Sequence, residues 1–171
     1  QALLEVVDIL RQARDFAEAS GLSSDRLAVA GDSAGGCLAA AAMHTLATAG
    51  DDLPHSAVLI YPMLDASMNH DSYNRFATGY QLTTSRIRWY WEQYLGNNSF
   101  DDASADPTVS PLWSDKLSMF PRTMIITAEC DPLRDEGSLL AQRLSAAGVV
   151  VSYLEIPGCI HGFLRFRKVL T

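Results

Sequence analysis

A short apolar run, Leu27-Ala28-Val29-Ala30, leads without a break into Gly31-Asp32-Ser33-Ala34-Gly35-Gly36, and small helix-forming residues follow at once. The pattern predicts a strand, a very tight turn and a helix, with a serine at the tip of the turn. This constrains the whole chain. A strand that hands over directly to a helix belongs to a layered α/β arrangement. The turn also holds a hydroxyl in the open, where a weak nucleophile can be activated and aimed.

The residue types reflect crowding in such a nucleophile elbow. Gly31 and Gly35, two positions either side of Ser33, are expected to leave room where a Cβ would collide. Asp32 and Gly36 complete the turn. Ala34 is small for the same reason, and its N–H, in the first turn of the following helix, points to where negative charge builds on an acyl oxygen.

A nucleophile needs a base and the base an orienting acid, in the chain order serine, acid, histidine. Of His44, His55, His70 and His161, only His161 comes late. It lies beyond the apolar run Val149-Val150-Val151-Ser152-Tyr153-Leu154, and loops past the carboxyl ends of strands are where α/β sheets place functional groups. The other three read as surface or structural histidines. Met124-Ile125-Ile126-Thr127-Ala128 reads as a buried strand, with Asp131 in the loop beyond it and Pro132 keeping that aspartate extended. Asp131 is the expected acid and Asp135 its main competitor. Asp135 and Glu136 fall in the first turn of the next helix, where the dipole alone favours acids. Glu129 is placed to brace the loop.

Elsewhere strands alternate with helices. A helical stripe over about 3–20 is stopped by Gly21. Strands are expected at 27–31, 57–61, 123–128 and 149–154. Helices are expected at 34–48, from Thr83 or Thr84 to 95, and at 134–147. This predicts a mostly parallel sheet flanked by helices. Residues 63–82 read as irregular and polar, 96–122 as a long loop, and Asp51-Asp52 as solvated charges. The stretch 63–100 is an insertion. Its Trp89, Tyr90 and Trp91 either pack on the fold or belong to a lid lining an acyl cavity. Cys37 is expected to pack, and Cys130 and Cys159 to remain free thiols of a cytoplasmic protein rather than a disulfide.

The runs Gly31 to Gly36 and Asp131 to Gly137, with His161-Gly162-Phe163, resemble the bacterial hormone-sensitive-lipase family of esterases, a branch of the α/β-hydrolases. Asp25-Arg26-Leu27-Ala28-Val29, Tyr61-Pro62 and Ser110-Pro111-Leu112 extend the resemblance over nearly the whole chain. It implies a single α/β-hydrolase domain over 1–171. It also implies hydrolysis of short- to medium-chain carboxylic esters by Ser33, His161 and Asp131, with no metal or other cofactor. That family carries a His-Gly-Gly-Gly loop upstream of the elbow and a helix after the histidine. Neither is found in this sequence, so the resemblance implies a domain clipped at both ends, without the first helices of the lid. Two alternatives stay open: hydrolysis of amides or thioesters, and a non-catalytic binder such as the plant gibberellin receptors, which lack the histidine.

Partners are narrowed by charge and hydropathy. A formal net charge of −7 and a pI near 4.9 argue against nucleic acid. No apolar run nears the roughly 20 residues of a membrane span. A small ester is the expected partner, and an exposed sheet edge is expected to favour pairing with a second copy of the chain.

Overall fold

A computed structural model describes residues 1–96 and 99–166. Four strands, β1 (Ala28–Asp32), β2 (Ser56–Ile60), β3 (Arg122–Cys130) and β4 (Val151–Ile160), lie in the order β1–β2–β3–β4 with every neighbouring pair parallel. The register sets Asp32, Ile60, Ile126 and Leu154 in one row, so all four chains leave the sheet at the same rim. Around the sheet lie helices α1 (Ala2–Ala19), α2 (Ala34–Ala49), α3 (Asp71–Arg75), α4 (Thr84–Leu95), α5 (Phe100–Ala105) and α6 (Arg134–Ala146).

Burial alternates along β2 and β3. Ala57, Leu59, Thr123, Ile125 and Thr127 are buried, whereas Arg122 and Met124 are exposed. Side chains of a strand alternate between the two faces, so one face carries the core. That face is covered by α2 and α6, whose Ala39, Ala40, Met43, Leu140 and Leu144 meet Leu59 and Ile125. Each fully buried leucine or isoleucine there contributes about 1.5–3 kcal/mol of transfer free energy. The run Ala39 to Ala42 lets backbones approach closely. The far side of α2 receives α1 through Val7, Ala42 and Leu46, which explains a helix that is apolar nearly all round. α2 stops where Gly50, at φ 76°, turns the chain, and the Gly50 and Asp51 N–H groups bond back to Ala47 and Leu46.

Three expectations need correction. Residues 63–82 are not a polar loop: the chain from Tyr61 to Ala66 is buried, and α3 comes after it. A second cluster built on Met63, Tyr73, Leu82, Ile87, Trp91 and Leu133 ties this insertion to the fold. The stretch 96–122 holds α5 and the 3-10 turns Pro111–Trp113 and Leu117–Met119; residues 97 and 98 lie outside the described residues. Asp51 and Asp52 remain accessible to solvent, as expected, while forming surface ion pairs with Arg11 and Arg14 of α1. Finally, β4 starts later than expected, because the Val149 N–H closes the end of α6 on Leu144, and it runs further, to Ile160.

The extension of β4 depends on a bulge. Ala128 pairs with Ile156 and Cys130 with Ile160, so three residues, Pro157, Gly158 and Cys159, stand opposite Glu129 alone. An outer strand can carry proline because its free edge needs no donor. A bulge re-aims the residues just beyond it, and His161 is the residue next to the end of this strand.

Candidate active site

Three expected residues leave the same rim of the sheet: Ser33 after β1, Asp131 after β3 and His161 after β4. Ser33 sits at φ 55° and ψ −119°, a conformation a non-glycine residue adopts at a cost of about 1–3 kcal/mol. It is held there from both ends. The Ser33 N–H donates to Ile60 O at 2.9 Å, and its carbonyl accepts from Met63 N at 3.2 Å. A Cβ on Gly31 would lie 2.2 Å from the Gly35 carbonyl oxygen, and one on Gly36 would lie 2.7 Å from the Pro62 Cβ. Gly35 differs from expectation: a Cβ there meets nothing within 4 Å. The crowding is between the Gly31 α-carbon and the Gly35 backbone, so the side-chain restriction falls on Gly31 and Gly36.

Ser33 Oγ stands 2.9 Å from His161 Nε2, and His161 Nδ1 stands 2.7 Å from Asp131 Oδ2. Asp131 is fully buried, and its other oxygen accepts the Leu133 N–H at 2.9 Å. With Nδ1–H donated to the carboxylate, Nε2 is left to accept the serine proton. Ala34 opens α2, so its N–H has no intrahelical carbonyl to meet. It lines a cleft of about 630 Å³ together with Ser33 and His161, a volume within the range of small-molecule sites. Met63, Leu82, Ile87, Trp91 and Leu133 make much of the wall apolar. Both readings of the aromatic helix therefore apply in part: Trp91 is buried in the fold, whereas Tyr90 lines the cleft and is exposed.

The remaining candidates separate cleanly. Asp135 turns away, accepting the Ser72 N–H at 2.8 Å and pairing with Arg134. Burial pushes its carboxyl up, but the hydrogen bonds from Arg134 and Ser72 outweigh this and hold it below the usual range. His44 bonds Ser114 at 2.8 Å, His70 bonds Asp65 at 2.9 Å, and His55 is exposed. Asp32 accepts the Tyr61 hydroxyl at 3.4 Å. Cys37, Cys130 and Cys159 are free thiols. Among the described residues no three His, Cys, Asp or Glu side chains gather to hold a metal, and no helix is long and apolar enough to cross a membrane.

Two residues of the site, Tyr61 and Glu136, escaped the sequence reading in whole or in part, whereas the role expected of Glu129 is seen. The Tyr61 ring lies 4.6 Å from the His161 ring and is itself flanked edge-on by Phe163 at 5.3 Å, which walls the imidazole in place. Tyr61-Pro62 stood out in the sequence, but nothing there assigned it a role. Glu129 does brace the loop: its carboxylate accepts the Gly158 N–H at 2.7 Å across the bulge before His161. Glu136 is no simple dipole acid. It is fully buried, accepting the Leu64 N–H and the Tyr73 hydroxyl, and burial raises its pKa to about 8.

A family profile described as alpha/beta hydrolase fold matches residues 1–165. The chain is 36% identical over 167 residues to an ethyl acetate hydrolase of Pseudomonas putida, covering 97% of this chain and 52% of that protein. It is 33% identical over 164 residues to an arylesterase of Saccharolobus solfataricus, covering 95% and 52%. Among solved structures, a hyperthermophilic esterase from Pyrobaculum calidifontis superposes with a TM-score of 0.89 at 32% identity, over 98% of this chain and 55% of that one. The chain thus spans about half the length of the curated relatives it matches.

Proposed function

The chain belongs to the alpha/beta hydrolase fold family, and on that premise we propose that it cleaves carboxylic esters by acyl transfer. The observation that carries this reading is the unbroken hydrogen-bonded series from the Ser33 hydroxyl through the His161 imidazole to the buried Asp131 carboxylate, opening onto a partly apolar cleft. His161 Nε2 takes the Ser33 proton as Oγ attacks the ester carbonyl. The Ala34 N–H donates to the oxyanion that forms, a contribution of about 10² to 10³ in rate for one such donor. The tetrahedral intermediate collapses, the C–O bond to the alcohol breaks, and His161 returns the proton to the leaving oxygen. Water then attacks the acyl-enzyme as His161 takes its proton. The acid departs and Ser33 is restored. Asp131 holds the imidazole in the right tautomer and stabilises the imidazolium in both halves.

The apolar wall and the names of the relatives support short- to medium-chain acyl esters as the substrate class. The insertion 63–100 serves as a cover to the cleft, through Leu82, Ile87, Tyr90 and Trp91. The free thiols of the chain fit a reducing, cytoplasmic setting.

Labelling with a fluorophosphonate tests the acylation step by itself. One adduct on Ser33 by intact mass is expected, lost in Ser33→Ala, together with hydrolysis of p-nitrophenyl butyrate. A folded chain that takes no label and releases no p-nitrophenol is a binder rather than a hydrolase.

A further inference from the structure

The cleft beside Ser33 carries two guanidinium groups. Arg86, in the first turn of α4, and Arg165, in the short 3-10 helix Phe163–Phe166, both line it. Neither guanidinium has a carboxylate partner among the described residues. One carboxylate, Asp32, stands in the lining against the two guanidinium groups, and its hydrogen-bond donor there, the Tyr61 hydroxyl, is neutral. All this occurs on a chain whose formal net charge is −7.

Both arginines are exposed to solvent where they line the cleft, so a ligand carboxylate can replace water as their partner. Guanidinium groups match carboxylates in shape as well as charge. Arg165 is also close enough to the chemistry for its charge to act on the Tyr61 hydroxyl, whose ring packs on His161. We propose that the cleft takes esters bearing a carboxylate, with Arg86 and Arg165 as the specificity-determining residues. This rests on the ester-hydrolase reading and narrows its substrate class. The products are an acid and an alcohol, one of which keeps the extra carboxylate.

Two matched pairs of esters test it, one for each side of the scissile bond. Mono-p-nitrophenyl adipate is set against p-nitrophenyl hexanoate, and 4-acetoxybenzoate against its methyl ester. Acylation of Ser33 is tracked by release of the phenol and by intact mass. Each partly exposed guanidinium–carboxylate contact contributes about three- to fivefold, so the anionic member of at least one pair should react about tenfold faster at low salt. That ratio should shrink towards one near 1 M salt, where screening reaches about 3 Å. It should also fall about threefold in Arg86→Gln and in Arg165→Gln. Neutral esters reacting as fast as their anionic partners in both pairs, or a preference that survives both substitutions and high salt, overturns the proposal. If no member of either pair acylates a folded chain, the hydrolase reading itself has failed, a result distinct from acylation without charge preference.

Discussion

Gly31 and Gly35 occupy symmetrical places about Ser33, yet alanine at the two should have opposite effects. At Gly31 the added Cβ lands 2.2 Å from the Gly35 carbonyl oxygen and 2.4 Å from its carbon. Both are backbone atoms in the first turn of α2, so no side chain can swing aside. Relief requires β1 and α2 to separate by about 1 Å, an overpacking strain of about 1–3 kcal/mol. For a chain of this size that lowers Tm by about 3–10 °C. The same movement displaces Ser33 Oγ from its 2.9 Å contact with His161 Nε2, and a misplacement of about 1 Å costs about 10² in rate. At Gly35 the Cβ meets open space and the φ lies outside the left-handed region. Alanine in place of glycine in a helix gains up to about 1 kcal/mol. Gly31→Ala should therefore melt lower and take fluorophosphonate about 100-fold more slowly, while Gly35→Ala melts at or above the parent and keeps most of its labelling rate. Thermal melts and labelling time courses on the two proteins decide the matter. Equal damage from both substitutions, or tolerance of alanine at Gly31, refutes the steric account of the elbow.

Further outcomes are expected. Asp131→Asn leaves the fold intact but removes the carboxylate that orients His161, so kcat should drop about 10³- to 10⁴-fold with KM little changed; a drop below tenfold assigns the orienting role elsewhere. Glu129→Ala frees the Gly158 N–H, bonded at 2.7 Å across the bulge, and should lower kcat about tenfold, whereas Glu129→Gln, whose carbonyl can still accept, restores most of it. A loss seen in KM alone counts against a positioning role. Stability should fall as the pH rises from about 4.5 to about 8. Glu136 keeps its proton in the fold up to about pH 8 but loses it near 4.5 when unfolded, so its contribution is complete below about pH 4.5 and is lost as the pH climbs towards 8. His70, raised by its hydrogen bond to Asp65, acts in the same sense. Tm should drop by about 5 °C or more between about pH 5 and pH 9, and Glu136→Gln should flatten the curve; an unchanged slope in that variant removes Glu136 as its origin.

The elbow was legible because its physics is local. A six-residue stretch contains both the reversal and the atoms that crowd it, although only coordinates reveal that Gly36 meets Pro62 from beyond another strand. Helix ends were legible for the same reason, since the capping bonds of α2 run between near neighbours. The insertion was misjudged because its polar groups are bonded inside the fold: Asp65 to His70 within the insertion itself, and the Leu64 and Ser72 N–H groups to the distant Glu136 and Asp135. A count of polar side chains suggests a solvated loop, but a polar group bonded inside the fold need not face water. The wall that Tyr61 makes for His161 was invisible too, since the two residues come from the ends of different strands.

What this chain's sequence determines by itself is a strand–turn–helix with an exposed serine, the alternation that makes a parallel sheet, and an acid and a histidine in the right order. Short-range sterics and the periods of strand and helix suffice for these. The tertiary structure alone decides that Asp131 rather than Asp135 faces His161. It alone decides that a bulge braced by Glu129 precedes the histidine, and that Arg86 and Arg165 line one cleft. Each of these depends on the separation of groups far apart along the polypeptide, which packing of the sheet against its helices sets and no local pattern encodes.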